Sequence, residues 1–226
     1  MAFLITMAKL ITDIQSQQRN RNRVNIYLDG EYAFSLDRMT AAWLTIGRQI
    51  DNIEIARLQQ KDELEIALRR SLHFLSIRAR SEKEMTTYLD KKGYEPALIE
   101  RVIARLKEDK LVEDLDFAQN WLDSRQRFRP RSKSLMKLEL RQKGVADDEI
   151  EQALQSSNLD DLDLAMEAGR KLSRRYQNLE KSEYDRKLGA ALQRRGFSYG
   201  IVRECLPSLW GEKLETMGVE KRKWSN

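Results

Sequence analysis

Nucleophiles and metal ligands are scarce in this chain. His73 is the only histidine and Cys205 the only cysteine, so any zinc site, Cys–His pair or Ser–His relay would have to use one of them. His73 lies close to an apolar stripe formed by Leu64, Leu68, Leu72 and Leu75, with no second ligand within reach along the sequence, and reads as a surface or packing side chain. Cys205 reads as a small core residue. Phosphate loops of the forms G-x-x-x-x-G-K and G-x-G-x-x-G are absent. The pairs Asp147-Asp148 and Asp160-Asp161 have chemistry suited to magnesium, but near helix starts they serve more simply as caps and dipole partners. No catalytic residue, metal or cofactor is expected.

The chemistry that remains is ionic. Between Arg125 and Lys143 stand eight bases, namely Arg125, Arg127, Arg129, Arg131, Lys133, Lys137, Arg141 and Lys143, against one acid, Glu139. The next twenty residues, Gly144 to Asp163, hold seven acids and no base, with Asp147, Asp148, Glu149 and Glu151 the densest part. Both runs have a plain reading as solvated faces that complement neighbouring helices. For the basic run an anionic partner explains more. Arg125, Arg127, Arg129 and Arg131 flank Pro130 at an inter-helix junction, where helical i,i+4 pairing cannot offset their repulsion. Smaller basic groups, Arg78 with Arg80 and Lys171 with Arg174 and Arg175, stand near the corresponding junctions of the units described next.

A threefold phrase must position these charges. Measured from Gly93, Gly144 and Gly196, apolar residues fall at −8, −4, +1, +6 and +10 in every copy: Met85, Leu89, Tyr94, Ile99, Ile103; Met136, Leu140, Val145, Ile150, Leu154; Leu188, Leu192, Phe197, Val202, Leu206. The glycines are 51 and 52 residues apart. Positions −8 and −4 share a helical face, the glycine takes the left-handed conformation that ends the helix, and +6 with +10 lie on the next helix. Ser81 with Glu84 forms a capping box, and Pro96 suits a first helical turn. Upstream echoes at Leu64–Ala67, Leu115–Ala118 and Leu162–Ala165 supply a third helix per unit. Repeats of this period form arrays in which each unit covers part of its neighbour.

The rest of the chain sets bounds. Of 226 residues, 34% are charged and only 3 are proline and 10 glycine, as in a soluble helical protein. A lone cysteine excludes an intrachain disulfide and favours a cytoplasmic home. The apolar run at Met1–Leu10 reads as neither signal peptide nor anchor, and Met7 is an alternative start. No segment approaches the roughly 20 apolar residues of a membrane span. Residues 9–23 are polar and lead into a hairpin, Val24–Leu36, turning at Asp29-Gly30. A three-residue loop with Gly30 as a bulge would pair Ile26 with Tyr32 and Val24 with Phe34, giving one apolar face for Trp43, Leu44 and Ile46 to cover. Phe117 and Trp121, four apart, read as core rather than as a nucleobase platform. From Gly211 the tail is charged and reads as disordered.

The phrase Arg80-Ser81-Glu82-Lys83-Glu84-Met85, with Leu89 and Lys92-Gly93, then Phe117-Ala118, then Leu138-Glu139-Leu140-Arg141-Gln142-Lys143-Gly144-Val145 with Ile150 and Ala153-Leu154, resembles the RecX regulatory proteins of bacteria. Gly196-Phe197 carries the likeness in the third copy, and Tyr27-Leu28-Asp29-Gly30 is similar to the N-terminal extension of longer members. The resemblance implies a mainly α protein, without enzymatic activity, that binds the RecA recombinase filament along its groove. It implies inhibition of ATP hydrolysis and strand exchange, and so a part in recombination and DNA repair.

The expected plan is an elongated array of three tandem three-helix repeats, 61–112, 113–160 and 161–210, after a 1–60 extension with a hairpin near 24–36 and short helices, and before the 211–226 tail. The named bases would meet DNA phosphates or acidic subunit surfaces, and Asp147–Glu151 basic subunit loops. Besides RecA, the expected partner is single- or double-stranded DNA, bound weakly and without sequence preference. A monomer with no membrane contact is expected. A helix-turn-helix-like protein acting on DNA directly is the alternative; a magnesium nuclease and a scaffold for another filament rank below it.

Overall fold

The computed structural model describes residues 8–223, with side chains described to Thr216. Most of the opening apolar run, Met7 included, lies outside those residues. The chain divides into two compact units. One holds the described residues up to Arg78 together with Leu89–Glu108, and the other holds Ala79–Tyr88 together with the chain from Asp109 onward.

The first unit is built on a four-stranded antiparallel sheet, not on a lone hairpin. Its strands are β1 (Lys9–Ser16), β2 (Arg23–Leu28), β3 (Glu31–Asp37) and β4 (Gln49–Ile50), in the order β3-β2-β1-β4. The polar lead-in is itself an inner strand. Its register shifts between Ile11 and Asp13, which breaks the period-two alternation that would have marked it.

The hairpin register also differs from the expected one. Asp29 and Gly30 are both left-handed, with φ of 52° and 91°, and form a two-residue turn whose twist suits the flanking strands. Leu28 therefore pairs with Glu31 and Tyr27 with Tyr32. The register then shifts, leaving Ala33 as the extra residue, and Ile26 pairs with Phe34 and Val24 with Leu36. The bulge sits in the strand instead of the loop, and it still gathers Val24, Ile26, Leu28, Phe34 and Leu36 on one buried face. Leu44 is buried on that core, whereas Trp43 and Ile46 are 47% and 62% exposed. The segment Met39–Gly47 makes turns, without the short helices expected there. The cover comes from Ala41, Leu44 and Leu58.

Leu58 belongs to α1 (Asn52–Ile77), capped by Asp51, whose carboxylate accepts the Glu54 N–H at 2.7 Å. The buried line on α1 runs through Leu58, Asp62, Ala67 and Ser71, so Leu72 of the expected stripe stands exposed. α3 (Pro96–Glu108) packs against α1, with Pro96 at its first position.

Asp62 pins α1 to the sheet. It accepts the Asp37 N–H at 2.5 Å and Arg23 Nη2 at 3.1 Å, while Asp37 takes Arg69 Nη2 at 2.6 Å. Burial pushes the Asp37 carboxyl up, but Arg69, the Met39 N–H and Arg23 outweigh it and hold the group below the usual carboxylate range. A depressed carboxyl contributes stability above its unfolded value, near pH ~4, and loses it as pH falls through the lowered value. Asp62→Asn keeps an acceptor but loses the charge, so a loss of roughly 1.5 kcal/mol is expected in urea melts. A loss that persists unchanged in an Arg23→Ala background would place the effect elsewhere.

Whereas the first copy of the phrase, apart from Met85, falls in the first unit, the second unit carries the second and third copies. Its helices are the first part of α2 (Glu82–Asp90), then α4 (Asp114–Phe128), α5 (Lys133–Gln142), α6 (Asp147–Ser156), α7 (Asp161–Ser173), α8 (Lys181–Gln193) and α9 (Tyr199–Lys223). All five columns of the threefold phrase are buried, except that Tyr94, Leu154 and Leu206 are intermediate. Gly93, Gly144 and Gly196 have φ of 81°, 90° and 88°. After all three, the N–H groups of Tyr94, Val145 and Phe197 reach back to the carbonyls of Leu89, Leu140 and Leu192, closing the helix as a Schellman-type turn does.

One joint is built twice. The Ser81 hydroxyl donates to the Lys143 carbonyl at 2.7 Å, and the Ser132 N–H donates to the Arg195 carbonyl at 3.0 Å. Asp114 accepts the N–H of Glu82 at 2.8 Å, as Asp161 accepts that of Lys133 at 2.7 Å. Each glycine turn thus lies on the capped start of an earlier helix. Ser81 and Ser132 also cap their own helices through the Glu84 and Leu135 N–H groups.

As far as Lys223 the expected tail is helical instead, as the continuation of α9, and 224–226 lie outside the described residues. Its packing explains why: Leu209 is buried, Trp210 meets Tyr184 edge-on at 5.1 Å, and Lys213 Nζ lies 4.0 Å from the Trp210 ring centre while bonding the Leu179 carbonyl. Tyr184 is fully buried, its hydroxyl between Ser173 and the Leu209 carbonyl.

Candidate functional site

The basic run separates into two groups with different surroundings. In the first, the charges are paired. Glu139, the lone acid of the run, is buried on α5 and accepts the Trp121 indole N–H at 3.0 Å and Arg125 Nε at 2.7 Å. Arg131 pairs with its other oxygen. Arg125 also stacks 4.2 Å from the Trp121 ring centre, with Lys143 Nζ at 5.4 Å. Trp121 is therefore enclosed by cations and Phe117, in line with a packing role.

The acidic run supplies further partners. Lys137 pairs with Glu151 and Arg141 with Asp147 at 2.6 Å, while Lys143 pairs with Glu84 of α2, outside that run, at 2.5 Å. Glu149 reaches back to the Ala146 N–H. Much of the charge pattern that suggested partner-facing strips is thus internal complementarity, with Asp148 outside these pairs. The Arg141 guanidinium is pushed up and the Asp147 carboxyl down, in each case first by their mutual hydrogen bond.

The second group is only partly compensated. Arg129 and Arg131, after α4, meet Lys171 at the end of α7, Arg175 in the following 3-10 turn (Arg174–Tyr176), and Arg194 and Arg195 after α8. With Phe128 and Leu172 these six bases line a cleft of about 380 Å³ that has no acid in its wall. Three helices end here, and cations suit helix C-termini. Lys171 Nζ bonds the Arg127 carbonyl at 2.6 Å and the Glu167 carboxylate at 3.0 Å, and Arg195 Nη1 reaches the Pro130 carbonyl at 3.4 Å. The guanidiniums of Arg129, Arg175 and Arg194 have no such partner among the described residues. Counting about half a negative charge per helix end and the carboxylates of Glu139 and Glu167, about two and a half positive charges stay unbalanced.

The electrostatics agree. Burial, and then Arg131, Arg129 and Arg175, draw the Arg195 guanidinium below its ordinary range. Arg131 is lowered by burial and then by Arg125 and Arg129. Arginine stays protonated regardless, so the repulsion is a standing cost that an anion in the cleft would relieve.

The remaining expected contacts lie elsewhere. Arg78 is in the first unit, at the end of α1, and Arg80 precedes the Ser81 cap. Arg174 lines a separate cavity of about 410 Å³ with Glu212 and Lys213, and Arg127 another of about 840 Å³. Lys133 starts α5. Arg194 and Arg195 were missed by sequence reasoning. The available signal was the phrase itself, because Arg195 holds the position before its glycine that Lys92 and Lys143 hold in the other copies. His73 is exposed, and no group of three His, Cys, Asp or Glu side chains among the described residues is placed to hold a metal ion. No described helix is long and apolar enough to cross a membrane.

Glu139 offers a test with two signs. Glu139→Gln should cost roughly 2 kcal/mol in denaturant melts, since it weakens the charge-assisted bonds from Arg125 and Arg131. The same change should tighten binding of a polyanion by freeing positive charge, read by anisotropy with a labelled oligonucleotide.

A sheet-bearing N-terminal region followed by glycine-jointed three-helix units, with an unbalanced cationic cleft, defines a helical-repeat binding protein. Family models narrow this. The RecX N-terminal domain matches residues 9–51, and the first, second and third RecX three-helix domains match 67–106, 114–154 and 159–206. The chain belongs to the RecX family of regulatory proteins. It is 38% identical to the regulatory protein RecX of Bacillus pumilus over 209 residues, covering 91% of this chain and 79% of that one. It is 34% identical to that of Bacillus subtilis over 208 residues, with the same coverage. A crystal structure of regulatory protein RecX superposes with a TM-score of 0.65 at 27% identity, covering 88% of this chain and 98% of that chain.

Proposed function

We propose that this chain binds the RecA recombinase–DNA filament along its groove and inhibits ATP hydrolysis and strand exchange, acting as a cytoplasmic monomer. The observation that carries the proposal is the unbalanced cationic cleft, set at a joint whose construction recurs along the helical units. A polymer of repeating negative charge is the partner that such a surface fits. Several weak contacts on one folded chain raise effective concentration, so modest individual contacts sum to tight binding. A protein engaging more than one recombinase subunit would restrain the motions that accompany ATP turnover and obstruct entry of a second duplex. The direct test is ATP hydrolysis by the cognate recombinase on single-stranded DNA, titrated with this protein. Hydrolysis that stays constant at saturation would refute inhibition.

The helix-turn-helix alternative fits less well. The helix after the Gly144 turn is α6, and it opens with Asp147, Asp148 and Glu149. Those carboxylates would meet DNA phosphates at the point where a recognition helix enters the groove.

A further inference from the structure

Phe128 ends α4 with 75% of its surface exposed, on the wall of the cationic cleft. Isolated exposed apolar side chains are common, but this one has an unusual setting. Its neighbours in the wall include Arg129, Arg175 and Arg194, whose charges are unbalanced. The backbone around it is tied down: the Arg129 N–H bonds the Arg125 carbonyl at 2.9 Å, Lys171 holds the Arg127 carbonyl at 2.6 Å, and Pro130 is buried. The ring is therefore presented from a held main chain, beside positive charge.

A cationic groove that follows a backbone, with an aromatic face for a base, is the chemistry that holds single-stranded nucleic acid. Duplex offers phosphates but hides its base faces in the stack, so it can use the cations and not the ring. A free polyphosphate likewise has no base to stack. We infer that the cleft is a single-strand site, in which Arg129, Arg175 and Arg194 hold successive phosphates and Phe128 stacks on an unpaired base. This deepens the filament reading above, since it names the strand that the cleft would meet. It also stands on bare nucleic acid alone.

The test uses the full chain without recombinase. Anisotropy would follow a labelled oligo(dT), an equal length of duplex, and competition by tripolyphosphate, for the wild type, Phe128→Ala and Phe128→Trp. Phe128→Ala should lose roughly 5- to 100-fold in affinity for oligo(dT) and none for duplex, and Phe128→Trp should retain or exceed wild-type affinity. Circular dichroism of both variants should match the wild type, as expected for an exposed position. Equal loss on single strand and duplex, or no loss on either, would overturn the inference. So would displacement by tripolyphosphate at concentrations matched in charge. Inhibition of the recombinase is a separate readout: an intact single-strand preference without inhibition would refute the proposed function and leave this site standing.

Discussion

Gly144→Val should destabilise the second unit by roughly 4 kcal/mol, an exceptional loss for one substitution. Two independent penalties combine. The backbone sits at φ 90°, where a β-branched residue is a steric outlier. In addition, a Cβ built there would stand 2.5 Å from Lys83 Cβ and 2.6 Å from Lys83 Cδ. The Cβ belongs to the start of α2 and cannot swing away as a side-chain tip can. Gly196 is equally enclosed, by Ser132 Oγ and by Leu135 Cβ, the latter 2.7 Å from the built Cβ. Gly93 separates the two penalties. Its φ is 81°, yet a Cβ there meets nothing within 4 Å. Gly93→Ala should therefore cost only the conformational part, about 1–2 kcal/mol, whereas Gly144→Ala and Gly196→Ala should each cost clearly more. Equal losses at all three positions in thermal melts would show that the close approach contributes nothing.

Removing Arg129, Arg175 and Arg194 together, as alanines, should weaken binding to DNA or to the nucleoprotein filament by about 100-fold at low salt. That figure takes about 1 kcal/mol for each exposed ionic contact and converts the sum at 1.4 kcal/mol per decade. The more diagnostic change is in salt dependence. Each lost phosphate contact should lower the log–log slope by about 0.9 on duplex or 0.7 on single strands, so the triple variant should flatten it by about 2 units. Stability should hold, because these three guanidiniums carry no internal bond among the described residues. Arg125→Ala is the opposite case. It removes a partner of buried Glu139 and a ring contact with Trp121, so it should lower melting temperature with little effect on slope. A slope unchanged in the triple variant would mean that the cleft touches no phosphate.

The helical units were legible from one sequence because their signals are local. A glycine with apolar residues at fixed offsets states a helix end, a reversal and a second helix within about twenty residues, and Gly93, Gly144 and Gly196 are all left-handed as that pattern requires. The sheet was less legible because bulges disturb alternation in both β1 and β3. The helical run beyond Gly211 was hidden by its charge, which distant contacts with α7 and α8 overrode. The cleft was half visible. Arg129 and Arg131 announced themselves by density, but Arg194 and Arg195 join them only through folding, across more than sixty residues of chain. Glu139 shows the converse: a single acid among eight bases looked negligible in a count, and burial made it the centre of the paired group.

Tyr184 gives the modular construction a boundary. Twelve residues before their glycines, the first two copies carry Ser81 and Ser132, each a hydroxyl-bearing socket for a later turn, and the third carries Tyr184. Its ring is sealed beneath Leu209 and Trp210 of α9. A further module offering its glycine in the same way would find an aromatic plug and a terminal helix where its predecessors found a receptive serine. Growth by duplication of this unit would thus have to insert new copies ahead of the plug, leaving the sealed module last in line.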